Sequence, residues 1–236
     1  MKKAMFVVVS CLCLAASALA APQGTVTITY LGSGAAPGSV VSLYIDQDGV
    51  YPPYEISSDF TRAGYLLHDV AAATGVGQII ENPLWTFSID ATQTPSYGSY
   101  ATYDVVPLTE APNPTFIGNT LTPARAAMLE ELWGRYHSTT MTAQQAAEFQ
   151  LAIWEIVYET SGTFDISSGS VRSDSLNADT NALLNSLDGT GPMANLVALT
   201  HPVYEDLLAE VPAPGAISLA GLGMAVIGWL RTRKQL

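Results

Sequence analysis

The sequence predicts an α+β fold: an antiparallel β-sandwich or barrel with a helical subdomain, framed by two terminal segments that lie outside the fold. Three observations predict it. Residues 23–110 hold short β-branched runs separated by Pro, Gly, Ser and Asn clusters. Residues 122–190 switch to helical periodicity with capping residues. All 21 acidic residues lie between Asp46 and Glu210, whereas five of the nine basic residues sit at the two chain ends. The middle therefore carries four Arg and no Lys, a net of −17 against −12 for the 236-residue chain. Such an acidic body excludes nucleic acid as a partner. At 48% hydrophobic residues the chain is too apolar to be disordered throughout.

The N-terminus has the layout of a signal peptide over residues 1–20. Lys2 and Lys3 form a basic start, Ala4 to Leu14 an apolar run, and Ala18-Leu19-Ala20 a small-residue site cut between Ala20 and Ala21. Signal peptidase is then a partner. Cys11 and Cys13, the only cysteines, leave with the signal. The mature chain would have no disulfide, thiolate metal site or cysteine nucleophile.

Five strand candidates follow: Thr25 to Tyr30, Val40 to Ile45, Gly64 to Val70, Leu84 to Asp90 and Tyr100 to Leu108. Thr122 caps a first helix with Pro123 at its first position, and Leu129, Leu132, Trp133 and Tyr136 form one stripe. Glu130 and Glu131 read as solvent-side charges. A second helix opens with a capping box, Thr142 and Gln145, and runs to about Glu159 before Gly162. Helical periodicity gathers Gln144, Glu148, Glu155 and Glu159 on a polar side and places Gln150 near the centre of the apolar face. A buried amide without partners costs about 1–3 kcal/mol, so Gln150 needs a specific partner. A third helix is predicted over Asn177 to Leu187 and a closing strand over Asn195 to Thr200. Residues 21–200 are thus the ectodomain, and 201–215 read as a tether.

At the C-terminus, Val211-Pro212-Ala213-Pro214-Gly215 breaks the chain. Uncharged residues 216–230 then precede the basic tail 231–236 with Arg231, Arg233 and Lys234. Fifteen helical residues span roughly 22 Å, short of a ~30 Å hydrocarbon core. The basic cluster favours the cytoplasmic side. This order of parts resembles the PEP-CTERM sorting signal, here in a Val-Pro-Ala-Pro-Gly variant. The resemblance implies a transmembrane sorting helix, an exosortase-type protease as partner, and delivery through an inner-membrane intermediate to the cell surface or biofilm matrix.

A second resemblance covers roughly residues 80–160. Phe149-Gln150-Leu151-Ala152-Ile153-Trp154-Glu155-Ile156 is similar to the glutamine helix of bacterial surface thioester domains, and Trp85-Thr86-Phe87-Ser88-Ile89-Asp90 to their cysteine strand. In that family Cys and Gln condense to a thioester used for covalent adhesion. Here Ser88 stands at the cysteine position, and an alkoxide leaves far less readily than a thiolate. The resemblance therefore implies the architecture without the reactive bond, a degenerate Ser88–Gln150 pair in which Ser88 Oγ serves the Gln150 amide.

No catalytic residue, metal ligand set or cofactor site is predicted. His68, His137 and His201 lack ligand spacing, and Asp46-Gln47-Asp48-Gly49 lacks the later acids of a calcium loop. The expectation is a structural or interaction protein, not an enzyme. Two alternatives stand beside it. One is a glycan- or matrix-polymer-binding module presenting Tyr51, Tyr54, Tyr97, Tyr100 and Tyr103, with extracellular polysaccharide or other surface proteins as partners. The other is a covalent adhesin with a Ser88–Gln150 ester cross-link.

Overall fold

The computed structural model describes residues 23–32, 36–46, 56–112, 120–160 and 162–212. Residues 1–20, read above as a signal peptide, lie outside them, as do residues 213–236, Tyr51 and Tyr54. Nine strands and three α-helices are described. These are β1 (Gly24–Tyr30), β2 (Gly38–Ile45), β3 (Ile56–Gly64), β4 (Leu66–Gly75), β5 (Leu84–Ser88), β6 (Ala101–Pro107), α1 (Pro123–Tyr136), α2 (Ala143–Tyr158), β7 (Val171–Arg172), α3 (Asn177–Asn185), β8 (Leu196–Thr200) and β9 (Leu207–Glu210). Six strands close an antiparallel barrel in the order β1-β4-β5-β9-β8-β6, and β3-β2-β7 form a separate sheet. Of the two predicted architectures, barrel and sandwich, the barrel is the one observed.

Alternation along β1 builds the barrel interior. Val26, Ile28 and Tyr30 point in and are buried, while Thr25, Thr27 and Thr29 are partly exposed. The outward threonines pair across strands, Thr25 with Thr74 at 2.8 Å and Thr27 with Thr102 at 2.9 Å between hydroxyls. Val26, Ile28, Tyr103, Val105, Leu199 and Leu207 fill the interior together. On the side that faces the helices the strands are apolar on both faces. Leu199 and Leu207 point into the barrel, whereas Ala198 and Leu208 point to the helices. Such strands read as unbroken apolar runs, not alternations.

The second core lies between that barrel wall, the three-stranded sheet and the helices. It joins Leu43 and Tyr65 to Phe87, Leu132, Phe149 and Leu208. α2 runs through its middle, with thirteen of its sixteen residues buried. An apolar surface all round a helix needs such a place. Both predicted caps form. Thr122 accepts from the Arg125 amide, and Thr142 and Gln145 make the reciprocal capping box.

Several expectations are corrected. β3 was not among the predicted strands, and β4 starts at Leu66 and continues to Gly75. The predicted tether at 201–215 begins inside the barrel: β9 lies between β5 and β8, and Val211 is still buried, its amide bonded to Asn195. The polar side expected on α2 is not solvated, because Glu148, Glu155 and Glu159 are buried. Glu131 is likewise buried. It pairs with Arg135 and accepts the Gly189 and Gly191 amides, so it ties α1 to the chain after α3. Burial opposes its ionisation, but the two glycine amides and Arg135 hold its carboxyl below the ordinary range.

Candidate functional site

Ser88 ends β5, and its position in the barrel leaves it short of partners. β4 pairs with β5 only from Leu66, opposite Thr86, to His68, opposite Leu84. Before Leu66 the chain turns away, and the Tyr65 amide bonds to Pro37. On the other edge β9 pairs with Phe87 and Ser88, and the Ile89 amide reaches Asp206. Successive residues of a strand direct their peptide groups to opposite edges. The Ser88 peptide groups therefore face the side that β4 has left.

Gln150 occupies that side. Its Oε1 accepts the Ser88 amide at 2.9 Å, and its Nε2 donates to the Ser88 carbonyl at 2.8 Å. A primary amide presents its oxygen and one N–H on the same edge, so it can meet both the N–H and the C=O that one strand residue directs sideways. Both residues are buried, and α2 delivers Gln150 from the centre of its packed length. The pair expected from sequence is thus brought together, but through different atoms. Ser88 Oγ does not serve Gln150. It donates to the Asp90 carbonyl at 2.9 Å and accepts the Asp90 amide at 3.2 Å, closing a local turn.

Around this latch lies a group of buried acids that sequence reasoning missed. Asp90 Oδ1 accepts from the Thr92 amide and hydroxyl and, at 3.4 Å, from the Tyr158 hydroxyl, which itself accepts the Ala91 amide. Burial pushes the Glu205 carboxyl well above its ordinary range, with the neighbouring Asp90 adding to the rise and the Ser88 hydroxyl opposing it. Burial also raises Asp206 to about 7, against the pull of the His201 amide that donates to it. Asp206 and Asp90 open on a cleft of about 540 Å³ that also contains Asp104 and His201. What the sequence offered is the apolar run Leu207-Leu208-Ala209 directly after Glu205-Asp206, which marks a buried segment but has no period to identify it as a strand.

The Ser88 hydroxyl donates to the Asp90 carbonyl and also lies against the Glu205 carboxyl, whose ionisation it favours. The histidines occupy separate places. His68 is buried in the barrel wall against Thr86, at 3.1 Å, and burial lowers it to about 4. His201 Nδ1 accepts the Val203 and Tyr204 amides. His137 stacks on Trp133. Among the described residues no group of three or more His, Cys, Asp or Glu could hold a metal ion. No described helix is long and apolar enough to cross a membrane. Of the tyrosines read as a binding row, Tyr97 and Tyr100 are exposed, but Tyr103 is a fully buried barrel residue and is removed from that row. Comparison with known family models, curated proteins and solved structures gives no match for this chain.

Proposed function

We propose that this chain is an exported structural or interaction protein of the cell surface or extracellular matrix, built on a thioester-like scaffold in which the reactive bond is replaced by a hydrogen-bonded latch. The observation that carries the reading is the Ser88–Gln150 geometry. Both polar atoms of the Gln150 amide are taken by the backbone N–H and C=O of Ser88, and the Ser88 hydroxyl is engaged with Asp90. A side chain held this way joins α2 to the barrel without chemistry. Residues 1–20 supply the export signal, and Val211 to Gly215 with residues 216–236 supply the sorting signal read by an exosortase-type protease.

Two measurements test the reading. Fractionation of cells with and without residues 211–236 should shift the protein from the surface or matrix to the soluble fractions, and unchanged surface retention would refute the sorting signal. Intact mass should equal that of the unmodified processed chain, with no methylamine adduct at Gln150. A loss of about 17 Da, the ammonia released by ester formation, would instead establish the covalent adhesin. A second reading, a glycan- or matrix-polymer-binding module, is favoured by the exposure of Tyr97 and Tyr100, at 75% and 53%.

A further inference from the structure

The first and last described residues, Gln23 and Pro212, line one cleft of about 400 Å³ at a pole of the barrel, beside Val76, Ile79, Leu108 and Val197. At this pole Gly24 opens β1 opposite Gly75 of β4 and Val105 of β6, and β9 runs out to Val211. Val211 is fixed. Its side chain is buried, its amide donates to the Asn195 carbonyl at 2.9 Å, and its own carbonyl accepts the Asn195 side-chain amide at 3.1 Å. The fold thus reaches into the Val211–Gly215 motif with no tether between them. The other pole holds the β8–β9 turn and the cleft of Asp90 and Asp206. Along the seven residues of β1 the two poles lie about 20 Å apart.

Chain length then constrains where this pole can be. Only Ala213, Pro214 and Gly215 separate Pro212 from the uncharged stretch 216–230. Four residues, from Pro212 to Ala216, reach at most about 14 Å. As a helix, 216–230 spans roughly 22 Å against a ~30 Å hydrocarbon core, so the segment has no spare length with which to hold the body off. With that segment in a membrane, the pole lies at the bilayer surface. Its composition suits lipid headgroups. Val70 to Ile80 includes no charged residue, and Ala71, Ala72, Thr74 and Gln78 are exposed. The acids on the bordering segments are Glu81, Glu110, Glu130 and Glu210, and burial raises Glu130 above its ordinary range. These carboxylates favour zwitterionic over anionic headgroups. We propose that this pole is the bilayer-facing surface of the anchored chain, seated on zwitterionic lipid headgroups with the acidic cleft turned outward. The proposal rests on reading residues 211–236 as a membrane-inserted sorting signal and adds to it the orientation of the body.

Fluorescence quenching in phosphatidylcholine nanodiscs tests it. The exported chain, residues 21–236, contains no cysteine, so single substitutions give unique labels. Gln23→Cys and Thr109→Cys place a probe on exposed residues of the cleft, and Val203→Cys places one on the far turn, at a residue 67% exposed. A nitroxide on the lipid headgroup should quench the Gln23 and Thr109 probes at least threefold more than the Val203 probe. Twelve Gly-Ser residues inserted between Pro212 and Ala213 add about 20 Å of reach and should lower quenching at Thr109 threefold or more. Circular dichroism reports whether each variant is folded, and the two cleft labels check one another. Equal quenching at both poles, stronger quenching at Val203, or no effect of the insertion, in discs that hold the chain, would overturn the lipid-facing pole and leave the sorting signal standing. Quenching at the cleft that appears only with an exosortase-type protease in the same disc would assign the pole to that protein and overturn the lipid surface. Failure of the chain to co-elute with the discs would overturn both the pole and the membrane-inserted signal.

Discussion

Gln150 shows how one side chain can complete a sheet. Truncating it orphans the Ser88 amide and carbonyl, two buried groups worth about 1–3 kcal/mol each. Gln150→Ala should therefore lower stability by about 2–6 kcal/mol, read as a shift in urea midpoint at constant slope. Ser88→Ala removes the hydroxyl's bonds to the Asp90 backbone and its contact with Glu205 and should cost about 1–3 kcal/mol. The order of the two effects is diagnostic, because a larger loss from Ser88→Ala would place the clamp in the hydroxyl instead of the peptide. The sequence made the need of Gln150 legible, since an amide at the centre of an apolar helix face must find partners. It did not reveal which atoms would answer. That depends on where β4 departs from β5, and the departure follows from the Tyr65–Pro37 contact between distant segments.

The same division holds for whole elements. Capping residues and alternation act locally, so both α-helical caps and β1 could be read directly. β9 could not, because Leu207, Leu208 and Ala209 are apolar on both faces and carry no period. Arg125 illustrates a long-range cap. It sits in the first turn of α1, yet its guanidinium donates to the Ile156 and Val157 carbonyls at 2.7 Å each and to the Glu159 carbonyl, closing the C-terminal end of α2. Those carbonyls have no partners within the helix, and a cation there also complements the helix dipole. Arg125→Ala should cost about 1–3 kcal/mol and raise amide exchange selectively in residues 153–159. Uniform loss of protection across the barrel would contradict this role. Gly134 marks a second junction. A Cβ there would lie 2.1 Å from the Pro192 carbonyl oxygen, so Gly134→Ala should push the 192–194 segment off α1 despite its better helix propensity. A lower melting temperature for Gly134→Ala is the expected result.

At the scale of the whole molecule the decisive property is where the negative charge resides. Between residues 46 and 210 there are 21 acids against four Arg, and helical periodicity gathers three of those acids on a polar side of α2. Instead Glu155, Glu159, Glu205 and Asp206 are among the buried residues, and the periodicity that grouped the α2 acids could not reveal that the sheet would cover them. Burial raises Glu155 from 4.5 to about 8 and Asp206 from 3.8 to about 7, the Asp165 amide opposing the first and the His201 amide the second. A raised carboxyl favours the protonated folded state. Its contribution is complete below the unfolded pKa and is lost as pH rises through the folded one, at roughly 1.4 kcal/mol per pH unit for each group. His68 works in the opposite direction. Lowered from 6.5 to about 4, it destabilises the fold as pH falls below 6.5 and so offsets the carboxyl gain on that side. Stability should therefore fall most clearly between pH 6.5 and 8, where only the carboxyls titrate among these three. Urea midpoints at pH 6.5, 7.25 and 8 should decline in that order. Glu155→Gln, which keeps an acceptor for the Asp165 amide, should flatten the decline and raise the midpoint at pH 8. An unchanged slope in that variant would assign the pH dependence to the repulsion of surface acids, which 1 M salt would then abolish.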